Sequence, residues 1–67
     1  MARVLVNGRE RELEAGATVA SLLASAGLEP KAVAVELNGR ILARGEFGSC
    51  RIGGGDRLEI VRFVGGG

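Results

Sequence analysis

The chain has 67 residues, of which 46% are hydrophobic and 25% are charged, and its net charge is +1. These values are typical of one small globular domain, which has too little interior for an enclosed active site of its own. There is no His, Trp or Tyr and only one Cys. Composition therefore excludes His-dependent acid–base catalysis, an all-Cys metal site, an intramolecular disulfide and aromatic platforms for single-stranded nucleic acid.

Charge and hydropathy argue against nucleic-acid and membrane partners. The 9 basic and 8 acidic residues are scattered along the chain, so no basic stripe is available for nucleic acid or an anionic membrane. The longest apolar run, residues 32–35, is far shorter than the roughly 20 residues that a membrane span requires. No charged segment leads into a long apolar stretch near Met1, as a secretion signal would require. We therefore expect a cytoplasmic protein.

The first predicted element is a β-hairpin. Residues 2–6 are rich in β-prone side chains, and Asn7 and Gly8 follow them. An Asn-Gly pair between extended segments favours a type I′ turn, in which both central residues have positive φ. Residues 9–13 alternate in charge, with Arg9, Arg11 and Leu13 on one face, and are predicted to form the return strand.

A short helix is predicted next. Thr18 is a suitable N-cap for it. Apolar residues then recur at helical spacing, at Val19, Leu22, Leu23 and Ala26. Gly27 stands where a helix commonly ends in the left-handed conformation, and Pro30 prevents any continuation.

A second hairpin is predicted after the helix. Residues 33–37 alternate between apolar and other side chains and run into Asn38 and Gly39, a second Asn-Gly pair. Residues 40–43 are the expected return strand.

The remainder of the chain is predicted to be an irregular segment, a tight turn and one last strand. Residues 44–52 are irregular, with Phe47 turned inward as their one large apolar side chain. The three glycines at 53–55 precede a strand and do not open a helix. They therefore indicate a turn and not a phosphate-binding loop. Residues 57–64 are predicted to form the final strand.

These elements fit an α+β domain with the β-grasp arrangement. A four- or five-stranded mixed sheet would carry one helix across one face and bury the apolar side chains of both. The first and last strands would pair in parallel at the centre of the sheet. We expect residues 1–64 to form this domain and residues 65–67 to form a flexible C-terminal glycine tail.

Cys50 and the acidic residues of the first hairpin are possible reactive groups, but structural roles explain them. A reactive thiolate requires a helix N-terminus or cationic neighbours, and only Arg51 is adjacent to Cys50. We therefore expect Cys50 to be a partly buried apolar filler. Glu10, Glu12 and Glu14 alternate with other residues, two of them arginines, as on a solvated hairpin face.

The run Gly65-Gly66-Gly67 is the main functional candidate in the sequence. A frayed terminus is one explanation of it, and a glycine-rich cloning remnant is a second. However, the glycines follow the last predicted strand without a spacer. They form a thin tail reaching about 10 Å, which can enter a channel too narrow for any side chain. The α-carboxylate of Gly67 could be adenylated in another protein's site and then act as an acyl donor.

The alternation of side chains along the last strand predicts a partner surface beside this tail. With Leu58 and Ile60 facing the helix, Val61 and Phe63 point to the other face of the sheet. An exposed Phe beside Val, next to a functional tail, is typical of an interaction patch. Leu42 on the neighbouring hairpin is expected to extend this patch. The alternative is a small second cluster covered by loops.

Several segments occur together in a recognisable order: VNG near the start, TVASLL in the helix, VAVELNG before the second turn, and GDRLEIV before a final Gly-Gly. In this order and at this length, nearly the whole chain resembles the sulfur carrier proteins of thiamine biosynthesis, the ThiS type. That family has the ubiquitin-like β-grasp fold, so the resemblance implies this fold for the chain.

The resemblance also implies that the chain is a carrier and not an enzyme. A ubiquitin-E1-like adenylating enzyme would use ATP and magnesium to adenylate Gly67. A persulfide from a cysteine desulfurase or sulfurtransferase would then displace AMP. The thiocarboxylate so formed would deliver sulfur to thiazole synthase for the thiazole ring of thiamine. Gly65 and Gly66 would let the tail thread the partner's site, and the chain itself would bind no metal or cofactor.

Three alternatives stay open. The thiocarboxylate could serve molybdopterin, cysteine or tRNA thiolation, because those pathways also use β-grasp carriers that end in Gly-Gly. Activated Gly67 could instead be attacked by a lysine amine, which would make the chain a protein modifier. The chain could also be a binding module with an inert tail, in which case removing Gly66 and Gly67 would change nothing.

Overall fold

A computed structural model describes residues 1–64. Its helix and strands are β1 (Ala2–Val6), β2 (Arg9–Leu13), α1 (Val19–Ser25), β3 (Val33–Leu37), β4 (Arg40–Ile41) and β5 (Arg57–Arg62). The strands form one mixed sheet in the order β2-β1-β5-β3-β4. The last strand β5 lies at its centre, parallel to β1 and antiparallel to β3. The predicted β-grasp arrangement is confirmed with five strands, while the predicted flexible tail lies outside the described residues.

Both predicted Asn-Gly turns are present. Asn7 and Gly8 have φ values of 51° and 80°, and Asn38 and Gly39 have φ values of 52° and 85°. Positive φ at both central residues is the geometry of a type I′ turn, whose twist matches that of the flanking strands. Each turn therefore determines the register of its hairpin, and Val6 pairs with Arg9 across the first one.

The helix begins and ends where the sequence predicts. The Thr18 hydroxyl accepts a hydrogen bond from the Ser21 amide, and the Ser21 hydroxyl accepts one from the Thr18 amide. This reciprocal pair occupies two amides that an uncapped helix would leave without partners. At the other end, Gly27 has a φ of 71°, and the Leu28 amide donates to the Leu23 carbonyl at 2.9 Å. This is the Schellman arrangement, which only a residue tolerant of positive φ completes without strain.

The core lies between α1 and one face of the sheet. Its fully or nearly buried side chains come from both layers and from the segment that follows β4: Val4, Val6, Val19, Leu22, Leu23, Val33, Val35, Leu42, Phe47, Ile52 and Leu58. Phe47 is buried as predicted. Its carbonyl accepts from the Ala20 amide at 2.9 Å, and the Cys50 carbonyl accepts from the Val19 amide at 3.0 Å. The irregular segment therefore covers the first turn of the helix and satisfies its amides.

Strand lengths differ from the prediction in two places. The strand predicted over residues 40–43 ends at Ile41, and a 3₁₀ turn at Arg44–Glu46 follows shortly after it. The final strand ends at Arg62 and not at residue 64. Its pairing strand β3 begins at Val33, so the ladder lacks a partner strand beyond that point.

The side chains of both turn asparagines bind the central strand β5. The Asn7 carboxamide oxygen accepts from the Ile60 amide at 2.7 Å, and its nitrogen donates to the Ile60 carbonyl at 3.2 Å. The Asn38 carboxamide oxygen accepts from the Arg57 amide at 2.9 Å, and its nitrogen donates to the Asp56 carboxylate at 3.0 Å. Each asparagine thus supports its own turn and holds the strand that leads to the glycine tail.

We expect Asn7→Gly to lower the free energy of unfolding by about 1–2 kcal/mol, because glycine keeps the turn but removes both bonds to Ile60. Asn7→Ala should cost about 1 kcal/mol more, because alanine also strains the left-handed backbone. Urea unfolding followed by circular dichroism measures both values. Equal stability of Asn7→Gly and the unchanged protein would show that the carboxamide bonds contribute nothing.

Candidate functional site

The candidate site is the end of β5, where the chain leaves the centre of the sheet. β5 is hydrogen-bonded to β1 on one side and to β3 on the other. The Phe63 amide adds one more bond, to the Ala32 carbonyl at 2.8 Å. Val64, the last described residue, is 97% exposed. The modification site predicted at Gly67 and the threading residues Gly65 and Gly66 lie outside the described residues.

An apolar patch lies beside this exit on the face of the sheet opposite α1, which we call the helix-free face. Val61 is opposite Ala34 in the register, and its side chain is 60% exposed. Phe63 continues the alternation of β5 and is also 60% exposed. The predicted exposure of both residues is therefore confirmed. Because loops do not cover them, the alternative of a buried second cluster is wrong.

The prediction that Leu42 extends this patch is wrong. Leu42 is only 5% exposed and belongs to the core. The two-residue turn pairs Leu37 with Arg40 and Glu36 with Ile41, and the Leu42 amide donates to the Val35 carbonyl at 2.9 Å. Leu42 therefore lies beside core-facing Val35, because a shift of one residue along a strand exchanges the two faces.

Ile41 takes the place that was assigned to Leu42. It pairs with Glu36 on the helix-free face and is 70% exposed. The sequence could have identified Ile41. In a type I′ hairpin the residues directly before and after the two turn residues pair with each other, so counting outward from Asn38-Gly39 pairs Glu36 with Ile41. Ile41, Val61 and Phe63 together are called the apolar patch below.

Two acidic side chains lie within the apolar patch. Glu36 lies directly opposite Glu59 between the patch residues of β4 and β5. Farther away on the same face, an Arg3 guanidinium nitrogen lies 3.7 Å from a carboxylate oxygen of Glu12. Both of those side chains are well exposed, so this ion pair contributes little to stability. The face thus combines exposed apolar side chains with charged ones, as protein interfaces do.

The other reactive candidates of the sequence have structural positions. Cys50 is half-buried and packs against the core, as predicted for an apolar filler. The glycines at 53–55 form a turn in which the Gly53 amide donates to the Asp56 carboxylate at 2.8 Å. Within residues 1–64, no cluster of His, Cys, Asp and Glu is suited to hold a metal ion. No helix in that range is long and apolar enough to span a bilayer.

The family model described as the ThiS family matches residues 4–67 of the chain. The chain belongs to the ThiS family. Within that family, the sulfur carrier protein ThiS of Bacillus subtilis is 44% identical over 50 residues, which cover 75% of this chain and 76% of that protein.

Two longer relatives are thiazole synthases. Those of Paramagnetospirillum magneticum and Magnetococcus marinus are 40% and 38% identical over 65 residues, which are 97% of this chain. The chain spans only 20% of the length of either relative. These proteins therefore join a ThiS-like domain to a thiazole synthase in one polypeptide.

Solved ThiS structures have the same fold. The crystal structure of the thiamine biosynthesis protein ThiS from Geobacter metallireducens matches with a TM-score of 0.82 and 32% identity, over 97% of this chain and 99% of that chain. Its solution structure matches with a TM-score of 0.78, over 97% of this chain and 87% of that chain. The ubiquitin-like β-grasp fold of the ThiS family is thereby confirmed for this chain.

Proposed function

We propose that this ThiS-family chain carries sulfur as a thiocarboxylate on Gly67 and delivers it for thiazole formation. The observation that supports this best is the exit of β5 from the centre of the sheet, held by hydrogen bonds up to Phe63. A rigid domain with a thin glycine extension can present one carboxylate inside another protein's channel. Gly65 and Gly66 are the residues that enter that channel.

The chemistry belongs to partners, and the chain supplies the reacting carboxylate. An adenylating enzyme of the ubiquitin-E1-like class would join a carboxylate oxygen of Gly67 to the α-phosphorus of magnesium-bound ATP and release pyrophosphate. The terminal sulfur of a persulfide, carried by a cysteine desulfurase or sulfurtransferase, would then attack the acyl carbon and displace AMP. Cleavage of the resulting acyl disulfide by a thiol leaves the thiocarboxylate. Adenylation is required because a glycine carboxylate is ionised at neutral pH and is a poor electrophile.

Thiazole synthase is the proposed recipient of the sulfur. The two longer relatives support this choice, because each carries a ThiS-like domain and the name thiazole synthase on one chain. In such a protein the carrier domain and the enzyme are held close together, which raises their effective concentration without any new contact. A separate carrier needs a docking surface to reach the same proximity, and the apolar patch is the surface proposed to dock both the adenylating enzyme and thiazole synthase.

Mass spectrometry of the intact protein and of its C-terminal fragment tests the function. The chain is incubated with the adenylating enzyme and a persulfide donor from its own host, with and without ATP. Sulfur located on Gly67 only when ATP is present would support the proposal. An unchanged C-terminus, with an enzyme shown to be active on a known carrier, would favour an inert module. An isopeptide to lysine would favour a modifier.

Substitution of Phe63 tests the apolar patch. Phe63→Asp should leave the free energy of unfolding within about 0.5 kcal/mol, because the side chain is mostly exposed. It should lower kcat/KM for adenylation by roughly tenfold to a hundredfold, because a charge would be desolvated at the centre of an apolar contact. Pyrophosphate release measures the rate.

Phe63→Leu is the matched control, because it keeps an apolar side chain at the same position. It should retain most of the activity of the unchanged protein. Loss of the folded state in Phe63→Asp would place the side chain in the core instead. Equal adenylation rates for the Asp and Leu variants would remove Phe63 from the surface that docks the adenylating enzyme.

A further inference from the structure

Within residues 1–64, one side of β5 has no partner strand near the end of the strand. In the antiparallel register with β3, the odd-numbered residues of β5 direct their amides and carbonyls toward β3, as the bond from the Phe63 amide to the Ala32 carbonyl shows. The even-numbered residues direct theirs toward β1, as the bond from the Asn7 amide to the Leu58 carbonyl shows. Because strand β1 ends at Val6, this side of β5 is only partly covered.

The Asn7 side chain supplies the last contact on that side. Its carboxamide bonds both the amide and the carbonyl of Ile60, as the backbone of a continuing strand would. The backbone groups of Arg62 are the next to point in this direction, and no hydrogen bond reaches them within residues 1–64. Val64 lies two residues farther along, outside β5, and its amide would point the same way if a bound partner extended the strand. An extended segment with unpaired backbone groups on one side is a template for another strand.

A concavity lies next to this open edge, on the same side of the sheet as α1. Its apolar wall includes Leu22, Leu28 and Ile60, and two arginines, Arg11 and Arg62, border it. Neither arginine forms an ion pair with any acidic residue in the described part of the chain. Two guanidinium groups at the border of an apolar hollow favour an apolar ligand that carries a carboxylate.

We propose that an extended segment of thiazole synthase pairs with the open edge at Arg62 and Val64 and places an acidic side chain between Arg11 and Arg62. The choice of thiazole synthase as partner rests on the proposed function. This contact is separate from the apolar patch, which lies on the opposite face of the sheet. Strand addition supplies main-chain hydrogen bonds, while the concavity selects the side chain. The partner would thus hold the base of the tail from both faces.

Charge reversal tests the side-chain part of this inference. Arg11→Glu and Arg62→Glu should each raise the Kd for the host's thiazole synthase by about tenfold or more, because a like charge would face the bound carboxylate. Arg9→Glu is the matched control, since Arg9 lies on the same strand as Arg11 and is also exposed but does not border the concavity. Arg9→Glu changes the net charge by the same amount as the other two variants, but solvent screens its effect on the bound carboxylate. It should therefore change the Kd by about twofold or less. Isothermal titration calorimetry gives these constants.

Substitution of Val64 tests the backbone part. Val64→Pro removes an amide that would point to the open edge once the partner extends β5, and it should raise the Kd about tenfold. Val64→Ala keeps the amide and should bind within about twofold of the unchanged protein. In hydrogen exchange, the Arg62 amide should become protected when thiazole synthase binds.

The inference is overturned if Arg11→Glu and Arg62→Glu bind as well as Arg9→Glu, if the Arg62 amide stays unprotected, or if the unchanged chain does not bind thiazole synthase. The proposed function is judged separately by ATP-dependent sulfur on Gly67. A chain that gains sulfur but fails these binding tests would lose the docking inference and keep its carrier chemistry.

Discussion

Removal of Gly66 and Gly67 should reduce ATP-dependent sulfur incorporation below detection while leaving the fold intact. The truncated chain would still end in a carboxylate, but that group would be withdrawn by about 7 Å, two residues of extended chain, from the adenylating site. A misplacement of even about 1 Å can cost two orders of magnitude in a positioned reaction. Fragment mass spectrometry after incubation with the adenylating enzyme, persulfide donor and ATP measures this result.

Two controls show whether the truncation acts through the position of the terminal carboxylate and not through the fold. The urea midpoint should be unchanged, because Val64 is already almost fully exposed and the truncation begins beyond it. A chain lengthened by one alanine after Gly67 retains every native residue but moves the carboxylate outward, and it should also fail to accept sulfur. Normal sulfur incorporation in the truncated chain would show that the glycine tail is not the acceptor.

Leu58→Ala should remove most of the stability of the domain. Leu58 is completely buried on the central strand, where it pairs with Val6 on β1 and Leu37 on β3. A Leu-to-Ala change at such a position costs about 2–5 kcal/mol through lost burial and the cavity left behind. The total unfolding free energy of a domain of this size is roughly 3–10 kcal/mol. Thermal and urea unfolding should therefore show a midpoint far below that of the unchanged protein.

Val61→Ala is the matched control for this change. It lies on the same strand but on the helix-free face, where its side chain is 60% exposed. Its cost should be within about 0.5 kcal/mol. Similar losses of stability at Leu58 and Val61 would contradict the assignment of the two faces of β5.

The position of β5 connects stability with the proposed function. The strand that leads to the glycine tail is also the central strand of the five, and the side chains of Asn7 and Asn38 bind it as well. The base of the tail is therefore held by the most cooperative part of the sheet, where local opening requires the largest free energy. The strand up to Phe63 is therefore already ordered before a partner binds, which reduces the entropic cost of binding.

The predicted partner surface shows where strand alternation is sufficient to assign a side chain to a face of the sheet and where it is not. Alternation along β5 correctly placed Val61 and Phe63 on the helix-free face, because a regular strand exchanges faces at every residue. It was wrong for Leu42, where the prediction did not count the register from the Asn38-Gly39 turn. The correct member of the patch, Ile41, lies one residue away.

Local chemistry in the sequence alone determined the two Asn-Gly turns, the Thr18 cap and the end of the helix at Gly27. Each depends on residues only a few positions apart, so composition and spacing are sufficient to predict it. Tertiary structure alone decided that the Asn7 carboxamide completes the edge of β5, through bonds between residues 53 positions apart. It also decided that Arg11 and Arg62 border one concavity, because the packing of the helix and three strands brings together residues that no local pattern relates.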